Sequence, residues 1–574
     1  MTTLFNDPAD FAEDQFEGFL NLYSDRLRGV PGGAVAHRER GAQPQVAVVI
    51  GGGSGHYPAF CGLVGPGFAT GAVVGNIFTS PSAAHVYSVA KAADQGRGVV
   101  LSFGNYAGDN MNFGIAATRL RAEGIDVRIV VVTDDIASAS EENKRRGIAG
   151  DFTVFKALGA AAARGLDLDE VERLGNLANA RTRTLGVAFS GCTMPGAEHP
   201  LFGVPEGHLG LGLGIHGEPG IRDEPLPSAR DLATLLVGDV LAAAPANPGN
   251  RVGVIVNGLG TTKYEELFLL WASIAPLLAE AGLEVVDAEV GELVTSLDMG
   301  GCSLTLLWLD DELEPLWRAD AYAPAYRKQA APVAALIIPE PGAIAEADSV
   351  EIPAASAASL ALAPAAVGAL ATVSTTLHTH EVRLGEIDAV AGDGDHGRGM
   401  VKGIDAALVA ARAAAEAGGG VAYVIRAAGR AWAEFAGGTS GVLWGAALEG
   451  FAAALGDDRE HYGAAELAAA VTGFESAILE LGGARPGDKT LVDALVPFAA
   501  ELRSRITAGE PAGAAWVAAA QVATAAAADT APLRPRLGRA RPLAEKSVGT
   551  PDAGATSLAL IVTDLARTAG TENN

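Results

Sequence analysis

The chain has 574 residues, too many for one hydrophobic core, and domain-size statistics make about three compact units the expectation. Its formal net charge of −27 excludes broad binding to nucleic acid or an anionic membrane, so a phosphate-bearing ligand must be met locally, by metal ions, helix N-termini or glycine loops. Three widely spaced cysteines, Cys61, Cys192 and Cys302, fit neither a disulfide framework nor a zinc site and are expected to be reduced and structural.

The opening MTTLFNDPADFAED has no basic stretch followed by an apolar core, so it does not read as a secretory signal. Apolar, β-branched runs then alternate with turn signals: QVAVVI at 45–50 before GGGSGH, GVVLSF at 98–103 before GNYAGD, and DVRIVVVT at 126–133 before an Asp pair. With helical stretches such as Ser82 to Ala93 between them, these runs predict an α/β unit over 1–183 around a largely parallel sheet, whose ligands gather beyond the strand ends.

The pattern restarts with TLGVAFSG and continues with RVGVIVNG at 251–258, an apolar helix from about Tyr264 to Ala281, and CSLTLLWL at 302–309, predicting a second α/β unit over 184–330. His56 closes the glycine loop GGGSGHYP directly after a strand, and His216 stands in GLGIHGEPG (212–220), where glycines let another molecule approach its ring. Asp109 in GNYAGDNMNF also follows a strand. Two imidazoles and a carboxylate can thus line one cleft, although a histidine taken singly is more often a hydrogen-bonded structural residue than a catalyst.

Residues 331–358 shift to Pro, Ala and Glu and read as a linker. The uncharged stretch from Ile352 to Leu377 is long enough to span a bilayer, but its Ala, Ser and Thr content and Pro364 make it too weakly apolar. It is expected to lead from the linker into a helix of a cytoplasmic protein. Beyond it, Ala-rich runs such as GIDAALVAARAAAEAG and AAELAAAVTGFESAILELGG, broken by glycines, predict an all-helical domain over 359–574.

Within that domain EIDAVAGDGDHG (386–397) places Asp388, Asp393 and Asp395 where three carboxylates can converge on a hard cation such as Mg²⁺. A solvated Asp-Gly turn explains the same residues, and a calcium loop lacks its downstream glutamate. AGGTSGVLWG (436–445), GARPGDKT (483–490) and GRARPLAEKSVGTPDAGATS (538–557) each precede a helix, and the last brings Arg539 and Asp552 near its start. Singly each reads as a capping loop; four on one side of an up-and-down bundle argue for a shared ligand.

In this order GGGSGH, GNYAGD, GLGIHGEPG, GDGDHG, GTSG, GDKT, and GRA with DAGA make the chain resemble the single-chain, ATP-dependent dihydroxyacetone kinases, from about residue 10 to 565. The resemblance implies a two-subdomain α/β ketone-binding half followed by an all-α helical-barrel ATP-binding domain. It implies that His216 captures the substrate carbonyl as a hemiaminal, and that His56 and Asp109 bind the substrate hydroxyl and accept its proton within a loop of Gly52, Gly53 and Ser54. It assigns Asp388, Asp393 and Asp395 to two Mg²⁺ ions, and nucleotide contacts to His396, Gly397, Arg398, Gly399, Thr439, Ser440, Gly482, Leu491, Arg539, Asp552, Ala553 and Gly554. It also implies a homodimer in which the ATP domain of one subunit covers the ketone domain of the other.

Gly104 departs from the family, whose KNYTGD motif has lysine there. The change removes a donor to a substrate oxygen and opens space, so a four-carbon ketose such as erythrulose is an alternative to dihydroxyacetone. Further alternatives are a phosphotransferase-relay ketone kinase, an FAD-to-cyclic-FMN lyase and a non-catalytic ketone sensor. Fusion of both halves without a carrier domain speaks against the relay, and the intact aspartate set against the sensor.

Overall fold

The computed structural model describes residues 2–37, 43–329, 352–537 and 541–571. The chain forms two compact units, Met1–Ile337 and Ile338–Asn574.

The first unit holds two six-stranded sheets. One contains β1 (Leu27–Val30), β2 (Gly33–Ala36), β3 (Ala47–Gly53), β4 (Gly71–Gly75), β5 (Val99–Gly104) and β6 (Val127–Val132), in the order β1-β2-β4-β3-β5-β6. From β4 to β6 neighbouring strands are parallel, while β1 and β2 form an antiparallel edge. β3 is buried along its length because helices cover both faces of the sheet. Val48 and Ile50 point to α4 (Asp151–Ala163) and α5 (Leu168–Ala180), among Phe152, Phe155 and Val171. Ala47 and Val49 point to α2 (Ala83–Ala93) and α3 (Ala107–Ala122), among Val86, Val89 and Phe113. The amphipathic α1 (Phe11–Leu22) lies at the N-terminal edge.

The second sheet comprises β7 (Thr182–Ala188), β8 (His208–Leu211), β9 (Arg222–Pro225), β10 (Arg251–Gly258), β11 (Glu284–Gly291) and β12 (Gly301–Leu309), in the order β11-β10-β12-β7-β8-β9. Only β10 and β11 run parallel. One face packs on α6 (Ala229–Ala242) and α7 (Tyr264–Glu280) through Leu185, Val254, Leu306, Leu236 and Ile274. The alternate residues Ile255, Leu307 and Leu309 turn to the opposite face and join the core that contains α4. α4 is therefore buried nearly all round, its polar Asp151, Thr153 and Lys156 included. The one-turn α8 (Glu314–Trp317) adds Trp317, edge-on to Phe152. The division expected at 183/184 cuts β7, and the core around α4 draws side chains from both sheets.

The second unit is helical. It contains α9 (Ala357–Ala389), α10 (His396–Glu416), α11 (Val421–Ala436), α12 (Gly438–Leu455), α13 (Ala464–Gly482), α14 (Val492–Thr507), α15 (Ala512–Ala528), the short α16 (Ala544–Ser547) and α17 (Ala553–Thr571). Each long helix packs on the next, and α17 returns to α9, closing a ring. Small residues let the helices approach: a Cβ on Gly429 would come within 2.9 Å of the Gly445 carbonyl oxygen, and one on Gly473 within 2.4 Å of that of Gly450. The ring encloses an apolar cavity of about 600 Å³ lined by Trp432, Trp444 and Phe498 among others.

α9 is long and apolar enough to cross a membrane by length and composition alone. Its Ala363, Leu370, Val373, Leu377 and Leu384 are instead packed in the helical core. Of the expected linker, residues 331–351 lie outside the described residues, and Ser356 caps α9 through a 3.0 Å bond from the Ser359 amide.

Candidate active site

β3 ends in three glycines and passes directly into the single turn Ser54–His56, which carries the His56 ring beyond the strand end. β5 ends at Gly104, and two residues later α3 begins, presenting Asp109 from its first turn. His216 comes from the second half of the same unit, on the loop between β8 and β9. These elements bring Gly52, Gly53, His56, Gly104, Asp109 and His216 to one cavity of about 340 Å³. Ser54 is adjacent in the chain; its hydroxyl is buried with no hydrogen-bond partner among the described residues.

The two imidazoles meet Nε2 to Nε2 at 2.9 Å. His56 Nδ1 lies 2.7 Å from the Thr295 carbonyl oxygen, which only accepts, so that nitrogen donates. His216 Nδ1 lies 2.9 Å from Glu218 Oε1, while Glu218 Oε2 accepts the His216 amide at 3.0 Å. Burial alone would raise the Glu218 carboxyl, but its bond to His216, the charge interaction with that ring and the Arg146 guanidinium hold it down at about 2. Glu218 is therefore an acceptor only, and His216 Nδ1 also donates. With both Nδ1 protons committed, the Nε2 contact must hold one further proton between two lone pairs. Burial, together with the neighbouring His216, pushes His56 down to about 3.

Asp109 is buried, and burial raises its carboxyl to about 6, with a Ser80 hydrogen bond opposing the rise. No described residue reaches its Oδ1. A carboxylate with this elevated basicity beside the imidazole pair suits a general base.

Four residues of the site were not singled out in the sequence. Glu218 orients His216, and Arg146 steadies Glu218 at 3.6 Å while pairing with Asp135 at 2.8 Å. Tyr106 lies edge-on to His216, with ring centroids 4.9 Å apart. Asp151, the first residue of α4, also lines the cavity. Only Glu218 had a readable signal, its position two residues after His216 within the glycine loop.

In the helical unit the connections after α9, α11, α13 and α15 emerge at one end, because side-by-side helices joined by short loops alternate in direction. Asp388, Asp393 and Asp395 have ligand oxygens that all lie within 4.8 Å of one another. The loop is wound around Asp388, whose Oδ2 accepts the Gly394 amide at 2.8 Å. An all-oxygen donor set of three carboxylates at a partly open loop fits a hard divalent cation.

His396 opens α10 and places Nε2 3.0 Å from Ser557 Oγ on α17, joining the aspartate loop to the DAGA turn. Burial lowers its pKa, so the ring is neutral. Gly397 is buried, Gly399 half-buried and Arg398 exposed on the same first turn. A Cβ on Gly554 would touch Leu491, and one on Gly482 would touch Leu443 of α12, so the remaining loops adjoin as well. Thr439 and Ser440 lie in the first turn of α12 after left-handed Gly437, and Ala553 begins α17 beside Asp552, which burial raises to about 6. Arg539 lies outside the described residues.

Comparison with known proteins places the two units. The Dak1 domain family matches residues 17–325 and the DAK2 domain family residues 390–567. A D-erythrulose kinase of Mycolicibacterium smegmatis is 57% identical, over 98% of this chain and 97% of its own. An L-erythrulose kinase of Pectobacterium atrosepticum is 52% identical, over 98% and 95%. The crystal structure of the dihydroxyacetone kinase from C. freundii in complex with AMP-PNP and Mg²⁺ aligns over 99% of both chains, with a TM-score of 0.59 and 29% identity. Carrying a Dak1 and a DAK2 domain in one polypeptide, and matching such relatives along its whole length, the chain belongs to the dihydroxyacetone kinase family.

Proposed function

We propose that this kinase transfers the γ-phosphoryl group of ATP to a primary hydroxyl of a four-carbon ketose of the erythrulose type. The observation that carries the reading is the convergence of His56, His216 and Asp109 on one cavity. The sequence alone put dihydroxyacetone first and erythrulose second; the names of the 57% and 52% identical relatives, both erythrulose kinases, support the reverse order.

In this reading the carbonyl carbon meets His216 Nε2. The proton held between the imidazoles passes to His56 as the His216 lone pair forms the carbon–nitrogen bond. The carbonyl π pair moves to oxygen, which takes that proton from His56 and becomes the hemiaminal hydroxyl. The charge left on the His216 ring faces the Glu218 carboxylate, so charge is balanced before and after addition. Asp109 then accepts the proton of the attacking hydroxyl as its oxygen bonds the γ-phosphorus and ADP leaves.

Asp388, Asp393 and Asp395 would hold magnesium, two ions in this reading, which supplies charge neutralisation on the phosphates. The loops around His396, Thr439, Leu491 and Asp552 are read as the nucleotide cradle. The protein is further read as a cytoplasmic homodimer whose subunits share active sites, which sedimentation of the full chain tests.

A panel of three-, four- and five-carbon ketoses with MgATP, followed by ADP release, decides the function. Erythrulose is expected to show the highest kcat/KM without any phosphocarrier protein. A strong preference for dihydroxyacetone overturns the four-carbon assignment, and absence of ketose-dependent turnover overturns the kinase reading itself.

A further inference from the structure

The proposed chemistry leaves one wall of the ketone cavity unused. Asp151 is only 4% exposed, lines the cavity, and its Oδ1 has no hydrogen-bond partner among the described residues. Tyr106 lines the same cavity, and its hydroxyl is likewise buried without a described partner. Buried polar atoms are nearly always satisfied, so two such atoms in one cavity call for a partner that a polar ligand can bring.

The wall between them is bare backbone. A Cβ on Gly104 would lie 3.2 Å from both the Tyr106 ring and the Gly147 carbonyl oxygen. A Cβ on Gly147 would come within 2.8 Å of Asp151 Oδ1 and 2.5 Å of the Gly104 Cα. Two residues without side chains, packed closely against each other, therefore join the Tyr106 ring to Asp151 along this wall.

Burial, and then the neighbouring Asp134 and Asp109 carboxyls, hold Asp151 well above the usual carboxylate range. A neutral acid both donates and accepts, as a phenol does, and an alcohol has the matching pair of capacities. Lysine would have offered donors only. The wall is thus suited to a neutral hydroxyl rather than to a charged group.

Resting on the ketose-kinase reading, we infer that Asp151 and Tyr106 form a hydroxyl subsite that binds the additional hydroxymethylene of a four-carbon ketose and sets the preference over a three-carbon one. Three-carbon dihydroxyacetone leaves this subsite without its partner. A site built to hydrogen-bond a substrate hydroxyl discriminates strongly against the analogue that lacks it, because its own buried groups then stay unpaired.

The test compares kcat/KM for erythrulose and dihydroxyacetone in the full chain, unsubstituted and carrying Asp151→Ala or Tyr106→Phe. Either change is expected to lower the erythrulose-to-dihydroxyacetone ratio by about tenfold or more, the factor expected for one lost hydrogen bond to a buried group. Tyr106→Phe keeps the ring against His216, so it reads the hydroxyl alone if Asp151→Ala proves poorly folded. A ratio unchanged in both variants, or an equal loss on both ketoses, overturns the inference. Failure of the underlying reading is distinct: the unsubstituted protein then releases no ADP with any ketose, and the subsite falls with it.

Discussion

In the proposed reaction His216 would be made a nucleophile by its neighbours. Glu218 fixes its tautomer, Arg146 fixes Glu218, and His56 faces its reactive nitrogen across 2.9 Å. Asp109 would supply the base, with its carboxyl raised by burial from 3.8 to about 6. The sign follows directly: the carboxyl keeps its proton to higher pH than a free aspartate, so the base is lost as pH falls through about 6. The kcat/KM profile for the ketose should fall on that acid limb, and Asp109→Asn should lower kcat by about 10²–10⁴-fold. Because folding raises this pKa, the folded state is favoured by proton uptake below about 6 and that contribution disappears above it. Asp109→Asn should therefore raise Tm at pH 8 while abolishing most activity, which thermal melts and initial rates read together.

His56, His216 and Asp109 were legible because each follows a strand with glycine beside it in the sequence, a local pattern. Tyr106, Arg146 and Asp151 were not, because their roles depend on burial and on partners from distant segments. Asp151 in particular reads as an ordinary acidic helix start, and only the packing of α4 between two sheets makes it a buried acid whose Oδ1 has no hydrogen-bond partner among the described residues.

At the scale of elements, the polar loop GARPGDKT is held by two side chains. Asp493 in the first turn of α14 accepts the amides of Gly487 and Thr490. Lys489, buried and with a left-handed φ of 61°, gives Nζ bonds to the carbonyl oxygens of Ala531, Leu533 and Ser547. Its ammonium thus ties the loop before α14 to the segment leading into α17. Lys489→Ala removes all three bonds, while the Ala531 and Ser547 carbonyls keep the Gly549 and Thr550 amides, and should cost about 1.5–3 kcal/mol, given the usual worth of hydrogen bonds to a charged group. Denaturant unfolding measures that loss, and KM for ATP should rise with KM for the ketose little changed. An unaltered KM for ATP would separate this loop from nucleotide binding.

The helical character of the second unit was plain in its alanine content, and the strand runs at 251–258 and 302–309 marked β10 and β12. The antiparallel pairing of the second sheet was hidden, because buried strands read as continuous apolar runs in either direction. The shared core around α4 was hidden for a similar reason: a helix buried nearly all round shows no periodicity to say what flanks it.

At the scale of the molecule, an acidic chain would meet a ketose and a nucleotide through local devices. One unit offers imidazoles, a raised carboxyl and bare glycine backbone; the other offers three converging carboxylates at the loop end of a helical ring. In the proposed reaction the first unit must alter the covalent state of its substrate before any phosphate moves. Erythrulose labelled with ¹³C at the carbonyl, bound to the full chain without nucleotide, tests this directly by NMR. A resonance moving from the ketone region to the tetrahedral hemiaminal region, and lost in His216→Ala, is the predicted result. Saturating binding with the carbonyl carbon still in the ketone region would contradict it.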